Sequence, residues 1–170
     1  MKRIFLAFCF ITATLLSTST YAQNKKAVRD SINLIKYEKA VAAVEAKDFV
    51  IIVDSYATEG GSFESNTDKA NFLSYEKEFV FLQGQIIAGN GYTNKLTVSE
   101  YNKVADKKGN IRITMQVRGN FINGKIEISL RKGFNNADVI ITPTKGNFQR
   151  FSGEIVPRAE SKYFKRSGEI

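Results

Sequence analysis

The chain is 170 residues long and carries 25 lysines and arginines against 17 aspartates and glutamates, a formal net charge of +8, with no histidine and one cysteine. That length suits a single domain. The missing histidines exclude Ser-His-Asp and Cys-His catalysis, histidine zinc sites and haem ligation by histidine, and the only thiol, Cys9, lies in the first few residues.

Lys2 and Arg3 precede an uncharged apolar run from Ile4 to Leu16, a Ser/Thr patch from Ser17 to Thr20, and then Tyr21, Ala22 and Gln23. This is the order of a secretory signal peptide: charged n-region, h-region, cleavage site. The run falls short of the ~20 residues that cross a bilayer as a helix, and Thr20 and Ala22 place the cut after Ala22. Cys9 raises the rival reading of a lipoprotein signal. Against it, Phe8 stands where a small residue is expected, and a cut there leaves too short an export signal. Residues 1–22 therefore read as a signal peptide and 23–170 as a single β-rich domain with a frayed N-terminal segment and a short basic C-terminal tail. The expected location is periplasmic or extracellular, without a lipid and without a transmembrane helix after cleavage.

From Asp30 or Ser31, either of which can cap a first turn, Leu34, Tyr37, Val41 and Val44 recur at three- and four-residue spacing and predict an amphipathic helix to about Lys47. The β-branched run that follows, Phe49 to Val53, predicts a buried strand continuing towards Tyr56 and broken by Gly60-Gly61. Further strand-sized runs span Asn71 to Tyr75, Phe79 to Gln83, Leu96 to Val104, Ile111 to Arg118, Lys125 to Arg131, Ala137 to Thr142 and Phe148 to Val156. Asn123-Gly124 suits a type I′ turn, which would pair Phe121 with Ile126, Gly119 with Ile128 and Val117 with Leu130 on one face, and Asn120 with Glu127 on the other. With one N-terminal helix, about eight strands and short connections, the fold class is mainly β: an antiparallel meander closing into a barrel or a sandwich.

Several of these segments resemble domain-of-unknown-function family 4251, small secreted proteins of Bacteroides-type bacteria. The carriers are the helix followed by Asp48, Phe49 and Val50; Asn71 and Phe72 through Phe81, Leu82 and Gln83; Gly89 and Gly91; and Gly153 to Pro157 with Ser161 beyond. The resemblance covers most of the mature chain and implies export and a β-rich fold. It brings no catalytic residue with it.

For chemistry there remain carboxylates, of which a glycosidase needs only two. Glu127, Asp54, Glu100, Asp138 and Glu154 are strand-borne candidates, with Glu127 first, although a solvated face accounts for each. Asp106 to Asn110 form a hairpin loop without the oxygen-ligand density of an EF-hand, and no cofactor or metal is expected. Phe79 and Phe81 alternate with Val80 and Leu82 as in a strand covered on both faces, whereas Tyr92 and Tyr101, near glycines and polar neighbours, are the candidate ligand-binding residues. Arg158, Lys162, Lys165 and Arg166 form the densest basic cluster and read as a solvated tail, and a nucleic-acid partner is not expected. The functional expectation is a non-enzymatic binding module for an apolar or glycan ligand or an envelope partner. Alternatives are a carboxylate-only carbohydrate hydrolase and a structural envelope protein recognised by strand addition. The processing expectation is checked by intact mass: protein recovered from its host should begin at Gln23 without added acyl mass, and an acylated N-terminus at Cys9 would overturn it.

Overall fold

The computed structural model describes residues 25–170, so the signal peptide read at 1–22 and its cleavage site lie outside the described residues. Helix α1 (25–45) is followed by strands β1 (Asp48–Ile52), β2 (Ser55–Ala57), β3 (Phe63–Ser65), β4 (Phe72–Glu76) and β5 (Phe79–Gly84). A single helical turn, α2 (Gln85–Ala88), then leads into the long β6 (Asn90–Ala105), β7 (Ile111–Arg118), β8 (Asn123–Leu130), β9 (Asn136–Pro143) and β10 (Gln149–Pro157). Eight of the strands form an antiparallel barrel in the order β1-β4-β5-β6-β7-β8-β9-β10, which closes where β10 pairs back onto β1. The short β2–β3 hairpin extends the sheet along the free edge of β10, with Ser55 opposite Ser152 and Tyr56 opposite Phe151. Of the two architectures the sequence leaves open, the chain adopts the barrel.

Alternation sorts the side chains. Along β7, Ile111, Ile113, Met115 and Val117 point inward and are buried, and Ile126, Ile128 and Leu130 of β8 and Ala137, Val139 and Ile141 of β9 do the same. With Phe49, Ile51, Leu73, Leu82, Leu96, Phe151 and Ile155 they fill the barrel with one continuous core. Helix α1 covers one end. Ala40, Ala43 and Val44 join the core, while the Tyr37 hydroxyl donates to the Gly109 carbonyl at 2.8 Å and Lys39 pairs with Glu160 at 2.9 Å. At the opposite end α2 turns Ile87 inward.

Helix α1 is already formed at residue 25, ahead of Asp30 and Ser31, so within the described residues the segment read as frayed is helical. Its first half overhangs the barrel. Leu34, assigned to the buried stripe, is consequently exposed together with Val28, Ile32 and Ile35.

The hairpin register also differs. Gly124 pairs with Val117 and Asn123 with Arg118, and the turn spans Gly119 to Ile122, whose carbonyl accepts from the Gly119 N–H at 2.9 Å. Glu127 therefore faces Thr114 and Ile140 and not Asn120. The predicted pairing is slipped by an even number of residues, which leaves the paired side chains of β7 and β8 on their correct faces, whereas Phe121, predicted opposite Ile126 on the inward face, falls in the turn and is exposed.

The basic tail is docked. Val50, Phe72 and Phe81 form a second apolar cluster on the outside of β1, β4 and β5, and Tyr163 packs edge-on against Phe72 with ring centroids 4.7 Å apart. Buried Gln83 donates to the carbonyls of Ala70 (2.9 Å) and Phe164 (2.7 Å) and accepts from the Thr93 hydroxyl and the Arg166 N–H. Arg158 meets Asp48 at 2.6 Å, Lys165 bridges Glu76 (3.3 Å) and Glu169 (3.2 Å), and Ile170 and Thr93 are joined backbone to backbone. Of the cluster read as a solvated tail, only Lys162 stays exposed, while Arg158, Lys165 and Arg166 are partly buried.

Two glycines permit close approach of neighbouring strands. A Cβ on Gly153 would lie 1.9 Å from the Ile52 carbonyl oxygen, and one on Gly124 would lie 2.2 Å from that of Thr142. Gly153→Ala and Gly124→Val should each destabilise the domain by about 1–3 kcal/mol in urea denaturation, the usual range for overpacking, whereas Gly91→Ala, whose Cβ meets nothing within 4 Å, should fall within ~0.5 kcal/mol of wild type.

Candidate functional site

Tyr92 and Tyr101 both lie on β6, and at ~3.3 Å per residue they are about 30 Å apart along the strand. Tyr92 stands in the first residues of β6, and not in a free loop, and is 61% exposed. Its N–H donates to the Asn90 side chain at 2.9 Å. Tyr101 turns towards the core beside Tyr75 (ring centroids 5.9 Å) with the Lys47 ammonium 4.5 Å from its ring, and burial, with Tyr75 next, holds its phenol above the ordinary range. The two tyrosines do not share a site.

The carboxylates are better grouped. Glu127 pairs with Lys125 at 3.0 Å on the outer face. Asp54, at the break between β1 and β2, sits beside Glu154 of β10, whose own carboxylate is held by Lys36 at 3.2 Å. Burial first, and the Glu154 charge second, push the Asp54 carboxyl above its ordinary range, opposed by the Glu154 N–H it accepts.

A groove of about 920 Å³ opens on the outer face at the α1 end, larger than two others of about 400 Å³ and 410 Å³. Its floor is a cross-strand row set by register: Val104 of β6 opposite Arg112 of β7, Arg112 opposite Ser129 of β8, and Ser129 opposite Asp138 of β9. Neighbouring strands are ~4.8 Å apart, so Arg112 and Asp138 flank Ser129 across roughly 10 Å. Two loops flank this floor. In the first, Asp106 accepts from the N–H groups of Lys108 (2.8 Å) and Asn110 (2.9 Å) and from the Asn110 side chain (2.7 Å), which hold its carboxyl below the ordinary range. Asn110 in turn accepts from the N–H of Lys132 in the second loop at 3.0 Å, tying the two together. From that second loop come Arg131 and the half-exposed Phe134. Asn136, also in the groove, pairs with Glu154, so the Asp54–Glu154 pair lies one strand beyond the groove edge.

Of the sequence candidates, Asp138 alone joins this groove's floor. Arg112, Arg131 and Phe134 were not singled out by sequence reasoning. Phe134 carries a usable signal, an aromatic ring in the loop Lys132-Gly133-Phe134-Asn135 where no core position exists. Arg112 carries none until β6, β7 and β8 are aligned.

The family model described as domain of unknown function (DUF4251) matches residues 34–155, and the chain belongs to that family. It is similar in fold to a DUF4251 family protein from Bacteroides eggerthii DSM 20697, known from a crystal structure at 1.95 Å resolution, with a TM-score of 0.68 and 28% sequence identity over 78% of this chain and 94% of that one. No curated protein matches the chain.

Because the folded Asp54 carboxyl keeps its proton to a higher pH than the unfolded one, its stabilising effect is present in acid and is lost as pH rises through the folded pKa. Asp54→Asn, which retains an acceptor oxygen for the Glu154 N–H, should raise the thermal midpoint at pH 7 and give no gain near pH 3, where wild type is itself protonated. A gain equal at both pH values would assign the effect to packing.

Proposed function

We propose that this DUF4251 domain is a non-enzymatic binding module working in the periplasm or outside the cell, with a glycan as its ligand. Recognition is placed in the groove at the α1 end. One observation carries this reading: the barrel interior is filled by side chains, and the 920 Å³ groove sets an exposed aromatic ring beside Arg112, Ser129 and Asp138. A sugar ring presents an apolar face and a belt of hydroxyls. Phe134 offers a surface for the first, and the guanidinium, hydroxyl and carboxylate offer donors and acceptors spaced across the second. The groove is also preformed, because the Asp106 turn and the Asn110–Lys132 bond fix its two loops to each other.

A second reading, a carboxylate-only hydrolase acting on the same ligand, is favoured by the adjacency of Asp54 and Glu154 one strand away.

A glycan array followed by calorimetry separates the two. Under the binding reading, Phe134→Ala and Arg112→Ala each weaken the best ligand about tenfold or more, ~1.4 kcal/mol, with the thermal midpoint unchanged, and Tyr92→Ala has no effect on it. Turnover abolished by Asp54→Asn or Glu154→Gln would promote the hydrolase. Glycan binding indifferent to both groove substitutions would remove the groove from consideration.

A further inference from the structure

The two segments that form the groove, residues 104–112 and 129–138, carry Lys107, Lys108, Arg112, Arg131 and Lys132 against two acids, Asp106 and Asp138. None of the five cations has an ion-pair partner among the described residues. The acids that border the groove are already matched: Glu45 of α1 meets Lys103, Glu127 of β8 meets Lys125, and Glu154 of β10 meets Lys36. Glu100 lies four residues along β6 from Val104, about 13 Å away. Asp106 spends its oxygens on the N–H groups of Lys108 and Asn110 and on the Asn110 amide. Counting Glu38 of α1 as well, whose neighbour Tyr37 bonds to Gly109, three carboxylates stand against five cations.

Two of the cations are neighbours by register. Arg112 is opposite Ser129, and Arg131, two residues further along that chain, takes the diagonal position about 7–8 Å from it. Both line the groove, as does Lys108. Like charges so placed repel one another, and Asp138, on the far side of Ser129, forms an ion pair with neither arginine.

We propose that the groove takes an acidic glycan, one whose sugar carries a carboxylate or a sulfate, with that oxyanion held between Arg112 and Arg131. The inference rests on the glycan reading above and narrows it to a substrate class. A guanidinium presents a planar fork of donors that matches an oxyanion, and a bound anion relieves the repulsion between the two arginines. A small free anion would leave the Phe134 ring and most of the groove's 920 Å³ without a contact, whereas a sugar that bears the anion reaches both. Asp138 repels an oxyanion set beside it, so the acid group is directed to the arginine side and the sugar hydroxyls to Ser129, Asn136 and Asp138.

The test is calorimetry with three probes, oligomers of galacturonic acid, of sulfated galactose and of galactose, titrated into the protein purified from its host in the form that host produces. At least one acidic oligomer should bind ten times or more tightly than the neutral one, and the tighter of the two identifies the oxyanion. The preference should vanish in Arg112→Gln with Arg131→Gln. It should persist in Arg118→Glu with Lys145→Glu, a larger change of net charge made at the other end of the barrel. All four are surface positions, and thermal unfolding confirms that each variant is folded. No binding of either acidic oligomer overturns the proposal, and so does a preference abolished by the glutamate pair, which reduces it to net charge. Equal binding of acidic and neutral oligomers, each weakened by Phe134→Ala, overturns the acidic preference and leaves the glycan reading standing. Acidic binding indifferent both to Phe134→Ala and to the glutamine pair overturns the two together.

Discussion

Closure of the sheet depends on β1 being shared between two partners. It pairs with β4 along its whole length, from Asp48 opposite Glu76 to Ile52 opposite Phe72, and with β10 from Phe49 opposite Pro157 to Ile51 opposite Ile155. The chain then bends through Val53 and Asp54, and β2 takes over the rest of the β10 edge. Gly153 lies at the crossing, where the Ile52 carbonyl comes closer than any side chain allows. With that closure the barrel strands lose their free edges, and every inward side chain from eight strands is removed from water at once. The interior is consequently a core, and recognition is left to the outer face and the two ends.

The outer face is not uniform. Val50, Phe72 and Phe81 make it apolar over β1, β4 and β5, which would expose a patch of the kind that drives association. The C-terminal segment covers it. Gln83 is what makes this covering specific, because its amide is buried yet all its polar capacity is spent on Ala70, Thr93, Phe164 and Arg166. Asp48 and Glu76 at the mouth of β1 and β4 then meet Arg158 and Lys165. Partly exposed ion pairs of this kind contribute little individually, so the tail is held chiefly by Tyr163 against Phe72 and by the Gln83 bonds.

Strand positions were legible because β-branched and aromatic runs are local, and so was the inward face of β7 and β8, because alternation is local too. Register was not. Asn123-Gly124 carries the local signature of a tight turn, but Gly124 is needed one strand further on, where β9 passes too close for a Cβ. A slip by an even number of residues satisfies alternation equally well, so only tertiary packing distinguishes the two pairings. Tyr101 shows the complementary failure. Simple alternation from the buried Leu96 would turn it outward, but the register shift between Val98 and Glu100 adds a residue and swings it onto the core side. The groove was illegible for a related reason, since Arg112, Ser129 and Asp138 become neighbours only after three strands are aligned.

The same core that excludes a ligand from the interior gives the groove its precision. Arg112 stands between Ile111 and Ile113, Ser129 between Ile128 and Leu130, and Asp138 between Ala137 and Val139, and each of these six neighbours is buried. None can move outward without opening a cavity, so the outward side chains begin from fixed Cα positions. A site on adjacent strands of a closed barrel therefore loses little backbone entropy when it is occupied, and what freedom remains lies in the side chains of Arg112, Arg131 and Phe134. Loops alone would not provide this. The two that flank the groove are held to the same frame by Asn110, which reaches the Lys132 N–H across the top of β7 and β8, and by Tyr37, which anchors Gly109 to the helix. Helix α1 thus does more than close one end of the core: through Gly109 it helps to hold a wall of the groove.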